Sequence, residues 1–327
     1  MLLRWLIDNY VREAAAGPVR EALAGLLPGE SPRGAARPAS TGPGDAPAET
    51  AEPAARPPAS SDPRAHPQRQ NPSDDDYLPC QAALVFALGI ESGGLVDLLQ
   101  GEETSRQAHG VERAGRLGPH EVVIVESGVG QRAAQRATVE AIRFYRPKWV
   151  VSTGFAGALD ALLRKGHIVM ADEVADLAGE RLATGLKLDP QTVAATRGLH
   201  VGRLLTVPQI IRRLDDRRRL AAEHGAIACD METFGVARAC RELGTRFIAV
   251  RVITDTLDDE LPPEIEALLA QKSLAGKLGA AAGAVFRRPS AVKDLWQLRE
   301  DALKASDRLA KFLTGVVQQL ASADAAS

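Results

Sequence analysis

From Gln81 onward the chain carries short apolar runs rich in Val and Ile: AALVFAL, EVVIVES, KWVVSTG, GHIVMAD, GAIACDM and RFIAVRVIT. Longer segments with helical spacing lie between them, at 131–145, 207–224 and 231–243. A strand that is apolar at nearly every position has no face to give to water, so it is buried on both sides. That pattern restricts the chain to an α/β fold, a mixed and mainly parallel sheet flanked by helices. After Asp255 the sequence turns helical. Pro262-Pro263 and Pro289 stand where proline suits a first helical turn, and Leu295, Leu298, Ala302, Ala305, Leu309 and Phe312 trace one face of the last helix.

The segment before Gln81 has a different character. Twelve of the twenty prolines lie between Pro28 and Pro79, mixed with Ala, Ser, Gly and charges. Such a stretch has too little apolar surface to offset the entropy of ordering, so residues 29–76 are expected to be a disordered linker. Residues 1–28 place Leu3, Leu6, Ile7, Tyr10 and Val11 at helical spacing, the pattern of an amphipathic helix. Arg4, Asp8, Arg12 and Glu13 interrupt it, so it is too charged to span a bilayer and lacks the apolar stretch of an export signal. Two roles stay open: docking on protein, or peripheral contact with a membrane surface through Trp5. The folded domain is expected over 77–321.

Charge and cysteine usage exclude several classes. The net charge of −2 over 327 residues gives no basic footprint for nucleic acid. Cys80, Cys229 and Cys240 form no CxxC pair and the six histidines form no HExxH, so no metal site is expected. Few cysteines, odd in number, fit a reducing compartment, the cytoplasm.

In open α/β sheets, ligands gather beyond the carboxyl ends of the strands. Polar or glycine-rich clusters fall at such ends here: Glu91 after the first run, Ser127-Gly128-Val129-Gly130, Ser152-Thr153-Gly154-Phe155-Ala156-Gly157, Asp230-Met231-Glu232 and Thr254-Asp255. Gly128 to Ala133 also fits GxGxxG/A, the dinucleotide fingerprint. That fingerprint needs an acidic residue at the end of the next strand to hold a ribose, and the next strand ends in Ser152 and Thr153. A tight strand-to-helix turn explains the glycines without a cofactor, and none is expected.

The order ESGVG, STGFAGAL, GHIVMADEV, CDMETFGVARAC and FIAVRVITD resembles the nucleoside phosphorylase and nucleosidase superfamily, and most the branch containing methylthioadenosine/S-adenosylhomocysteine nucleosidases. The resemblance covers about residues 81–260. The tail, LDDELPP and RRPSAVKDLWQLREDALKASDRL, is similar to phosphorylase-like proteins associated with hopanoid biosynthesis. The resemblance implies cleavage of a purine–ribose bond on a phosphorylase/hydrolase-like fold, usually in a homo-oligomer. It implies Asp255 as the acid at the base, Glu91 as the residue holding an attacking water, and Glu232 as the acceptor of ribose hydroxyls. Met231 packs beside the sugar in that scheme, and Gly128, Gly154 and Phe155 line the substrate turns. Arg251 reads instead as a structural ion-pair partner. Phosphorylases of the superfamily carry an arginine where this chain has Ser152, and Phe155 replaces the serine of the same turn. The departure weakens the phosphorylase reading, and the turn departs equally from the TGSAG of typical nucleosidases. Phosphorolysis, an adenosyl-lipid substrate and non-catalytic nucleoside binding are the alternatives.

Overall fold

The computed structural model describes residues 78–184, 190–259 and 291–325. The expected N-terminal helix and linker, and the segment opened by Pro262-Pro263, lie outside the described residues.

All the apolar runs form strands. In chain order the elements are β1 (Ala82–Phe86), α1 (Gly89–Val96), β2 (Gln100–Gln107), β3 (Gly110–Leu117), β4 (His120–Glu126), α2 (Gln131–Tyr145), β5 (Trp149–Ala158), β6 (Ile168–Asp176), β7 (Arg181–Ala183), α3 (Pro190–Ala195), β8 (Leu199–Thr206), α4 (Leu214–His224), β9 (Ala228–Asp230), α5 (Thr233–Leu243), β10 (Arg246–Asp255) and α6 (Ala291–Ala325). The sheet runs β10-β6-β8-β9-β5-β1-β4-β3-β2, and β10 also pairs with β5. β5, β10, β6, β8 and β9 therefore close into a ring, and β1, β4, β3 and β2 extend from it as an open wing. Pairing is parallel along β4-β1-β5-β10 and β6-β8-β9, and antiparallel at β10-β6, β5-β9 and across β2-β3-β4.

Alternation along the strands divides the core into two layers. Ala82, Leu84 and Phe86 of β1 pack with Ile248, Val250 and Val252 of β10 against Leu309, Leu313, Val316 and Leu320 of α6. Ala83 and Val85 face the other way, toward Ala134, Ala137 and Ala141 of α2 and Phe234 and Val236 of α5. Each fully buried Leu, Val or Phe contributes about 1.5–3 kcal/mol by leaving water.

Two stretches differ from the sequence expectation. The hairpin β2–β3 and strand β8 carry no uninterrupted apolar run: β2 is mostly exposed and β8 is only half-buried over most of its first half, so the signal of a doubly buried strand is missing. The helix expected over 207–224 is formed only from Leu214, because residues 207–213 cross from β8 to α4 as irregular chain.

Candidate active site

Glu91 lies in the first turn of α1, where the chain leaves β1. Its Oε2 accepts the backbone N–H groups of Ala87 (3.0 Å) and Leu88 (2.9 Å), satisfying donors that a helix start leaves open. Its Oε1 accepts the N–H of Phe155 (3.0 Å), at the carboxyl end of β5. Gly154 makes that approach possible. Its φ is +140°, and a Cβ there would stand 2.9 Å from Oε1. Burial pushes the Glu91 carboxyl above its ordinary range, against the opposing pull of these N–H bonds and of Arg251. From the far side, Ser306 of α6 donates to the Glu91 carbonyl (3.0 Å) and accepts the Gly94 N–H (2.9 Å), tying α1 to the C-terminal helix.

Glu232 leads into α5 opposite this point. Its Oε1 accepts the Gly130 N–H (2.7 Å) at the start of α2, and its Oε2 the Met231 N–H (3.3 Å). α5 and α2 can approach so closely because residue 235 is glycine: a Cβ there would fall 2.2 Å from the Gln131 carbonyl oxygen. Loss of solvent, followed by the charges of Asp230 and Glu91, pushes the Glu232 carboxyl up to about 8.

Arg251 of β10 is 2% exposed, so its charge needs a partner inside. Asp230 supplies it: Nε and Nη2 reach Asp230 Oδ2 at 2.9 and 2.6 Å. Nη2 also donates to Ser152 (3.0 Å) and Thr233 (2.6 Å). Thr206 and Thr233 hold Asp230 in turn. Nη1 is the exception. Among the described residues it is the one buried side-chain nitrogen without a hydrogen-bond partner, and Thr153 Oγ1 on β5 is the one such oxygen.

Asp255 stands farther along the same strands, paired in register with Gly157. Its Oδ2 is 2.9 Å from the position a Cβ on Gly157 would take. The buried guanidinium of Arg217, on α4, donates from Nη2 to Asp255 Oδ2 (2.5 Å), from Nη1 to the Thr256 carbonyl (2.7 Å) and from Nε to the Ile211 carbonyl (2.8 Å). Thr254 donates to Oδ1 (3.1 Å). Burial raises the Asp255 pKa, and Arg217 draws it back down.

The structure thus gathers Glu91, Glu232, Gly154 and the Phe155 backbone around Arg251, and sets Asp255 about three residues, roughly 10 Å of strand, beyond Gly154. The Phe155 ring packs on the α6 side of the core, and Met231 is half-buried against Leu205, Leu220 and their neighbours. Gly128 takes a positive φ of 80°, and its N–H is engaged by the Ala87 carbonyl; in the same turn Gly130 is the residue that meets Glu232. Arg251 has the structural ion pair expected of it, plus an unengaged arm. Sequence reasoning missed Arg217, which is hidden in Arg217-Arg218-Arg219 on a helix that reads as solvent-facing. It also missed Asp230 as the counter-charge. Among the described residues no group of His, Cys, Asp and Glu could hold a metal ion, and no helix is long and apolar enough to cross a membrane.

Known proteins share this architecture. Residues 81–284 match the family model described as the phosphorylase superfamily. The chain is 27% identical over 216 residues to a 5′-methylthioadenosine/S-adenosylhomocysteine nucleosidase of Colwellia psychrerythraea, covering 58% of this chain and 89% of that protein. It is 27% identical over 188 residues to the protein of the same name from Staphylococcus aureus, covering 51% and 82%. Among solved structures, the Helicobacter pylori 5′-methylthioadenosine/S-adenosylhomocysteine nucleosidase complexed with a pyrrolidine-based ligand superposes with a TM-score of 0.54 at 19% identity, over 72% of this chain and 97% of that one. The Streptococcus pneumoniae nucleosidase, holding a transition-state inhibitor, gives 0.54 at 18%, over 73% and 99%. These likenesses establish a common fold.

Proposed function

Because the chain belongs to the phosphorylase superfamily, we propose that it hydrolyses the N-glycosidic bond of a 5′-substituted adenosine, methylthioadenosine or S-adenosylhomocysteine, and releases adenine. Breaking that bond leaves positive charge on the sugar and negative charge on the departing base. Asp255, with a carboxyl raised by burial, is suited to protonate the base at N7. Arg217 fixes its orientation from one side, which leaves Oδ1, shared only with Thr254, for the base. Glu232 takes the ribose hydroxyls, and Glu91 receives the proton of the attacking water.

The observation that carries hydrolysis is the unengaged Nη1 of Arg251, a buried donor on a guanidinium whose charge acts on both Glu91 and Glu232. A water bound to that N–H and to either carboxyl would have the two or more partners that an ordered water needs. A phosphate dianion in the same place would meet two acidic groups and a guanidinium already neutralised by Asp230. The relatives named as nucleosidases support the same reading. Cytoplasmic location and self-association belong to the proposal as well, as does a peripheral membrane role for residues 1–28; sedimentation and vesicle flotation of the full chain and of a chain lacking residues 1–76 test the last two.

The test of substrate class is direct. The protein is incubated with methylthioadenosine, S-adenosylhomocysteine, adenosine and inosine, and free base is measured. Adenine from the 5′-substituted nucleosides is the expected product. Release from inosine alone, or tight nucleoside binding with no release, contradicts the proposal.

A further inference from the structure

Two neighbouring parallel strands, β6 and β8, are each preceded by an arginine three residues ahead of a histidine: Arg164-Lys165-Gly166-His167 and Arg197-Gly198-Leu199-His200. The register pairs Ile168 with Leu199 and Val169 with His200, so the amino ends of the two strands lie side by side. His200 Nε2 is 2.9 Å from His167 Nδ1, and the rings stack with centroids 4.9 Å apart. Arg308 of α6 lies across both strand starts. Its Cδ is 3.5 Å from the place a Cβ on Gly166 would occupy. Its Nη2 is 3.3 Å from that of Gly198, whose other close neighbour, at 3.2 Å, is the His167 ring. Gly198 has φ +77°, so a side chain there would be strained and would also push Arg308 away from His167.

Cations outnumber acids around this corner: Lys165, Arg197, Lys304, Arg308 and Lys311 line the same cavity as Asp97, Asp301 and Asp307. Loss of solvent, then His200, Arg308, Arg164 and Arg197, hold the His167 imidazole below its ordinary range. Loss of solvent lowers His200 as well, opposed by Asp160. Lys165 is met by Asp259 (3.5 Å) and Asp301 (3.9 Å), and Lys304 by Glu300 (2.7 Å). No carboxylate pairs with Arg197 or Arg308 among the described residues. Arg197, Gly198 and Arg308 line one end of a cavity of about 1120 Å³ whose other walls include Leu117, Ile168 and Phe312.

We propose that this corner is a binding site for a phosphate-type oxyanion, separate from the candidate active site, with Arg197, Arg308 and the His167–His200 pair as its donors. Guanidinium forks match phosphate oxygens, and these two exposed guanidiniums have no carboxylate partner among the described residues to compete with an anion. His167 Nδ1 accepts the Arg164 N–H (3.3 Å) and faces His200 Nε2, so the proton of its neutral ring sits on Nε2, the donor that the pair offers an anion. A free organic phosphate and a phosphate headgroup at a lipid surface offer the same chemistry, and the apolar wall accepts the rest of either.

Calorimetry on the full chain tests the site at constant ionic strength, with inorganic phosphate in one arm and phosphatidate-containing vesicles in the other. Chloride and phosphatidylcholine vesicles are the controls. Binding is expected in at least one arm, and weakened about tenfold or more in Arg308→Ala and in Arg197→Ala. The arm that responds identifies the source. Both variants are expected to release adenine at the parent rate, which shows that they are folded. Binding no stronger than the controls in both arms overturns the site, and so does equal binding by the parent and both variants. Either failure leaves the glycosidic-bond reading untouched, since that reading uses none of these residues.

Discussion

The two ends of the candidate site solve the burial of a carboxyl group in opposite ways. At the Glu91 end the strong cation, Arg251, is neutralised by a third acid, Asp230, so Glu91 and Glu232 are held mainly by backbone N–H groups. At the Asp255 end the cation contacts the acid itself, Arg217 to Asp255 at 2.5 Å. One end is therefore a pair of buried acids acted on by a guanidinium with one unengaged N–H. The other is a single acid whose pKa reflects two opposed effects, burial and a guanidinium. The difference shows that burial alone does not assign a role; the partner of the nearest arginine does.

Four substitutions break or sharpen that contrast. Asp255→Asn removes the acid and keeps the shape, and kcat for adenine release is expected to fall by about a hundredfold to a thousandfold; a variant with parent activity contradicts the assignment. Glu91→Gln keeps the size of the side chain but removes the proton acceptor and turns one oxygen into an NH2 that faces backbone N–H donors, with an expected loss of about a hundredfold or more in kcat and little change in KM. A loss confined to KM would make Glu91 a binding group only. Arg217→Lys replaces the fork by a single point charge, with an expected loss of about tenfold. Weaker opposition to burial leaves Asp255 protonated to higher pH, so the alkaline limb of the kcat profile should move up. An unmoved limb would make Arg217 purely structural.

The smallest effect concerns stability. Glu232 is pushed from 4.5 to about 8 in the folded chain. Between those values the folded state holds a proton that the unfolded state has released, so stability falls as pH rises through that window. Glu232→Gln removes this proton, and its melting temperature should decline less over the window than that of the parent; equal slopes would mean that Glu232 titrates normally.

Much of this arrangement was legible in the sequence because burial writes itself as apolar runs. The runs at 82–86, 149–158 and 246–255 announced the strands, and the strand-end rule located Glu91, Gly154 and Asp255. What stayed hidden depends on direction rather than composition. Of three consecutive arginines on α4 only Arg217 is buried, and helical period alone does not say which turn will meet a strand end. Asp230 was placed at a strand end, but its partner was hidden until β9 paired with β5 and β8 and brought it to Arg251. The half-exposed β8 had no apolar run to mark it, and with it went the view of the His167–His200 corner.

The central claim is that the group attacking the sugar is water held between Arg251, Glu91 and Glu232. The most direct test is the rate of adenine release from methylthioadenosine as phosphate is varied from none upward at constant ionic strength, with the sugar product identified. Full activity without phosphate, a rate independent of its concentration, and a free reducing sugar as product are the predicted results. Release only when phosphate is present, with a sugar 1-phosphate as product, would contradict the claim.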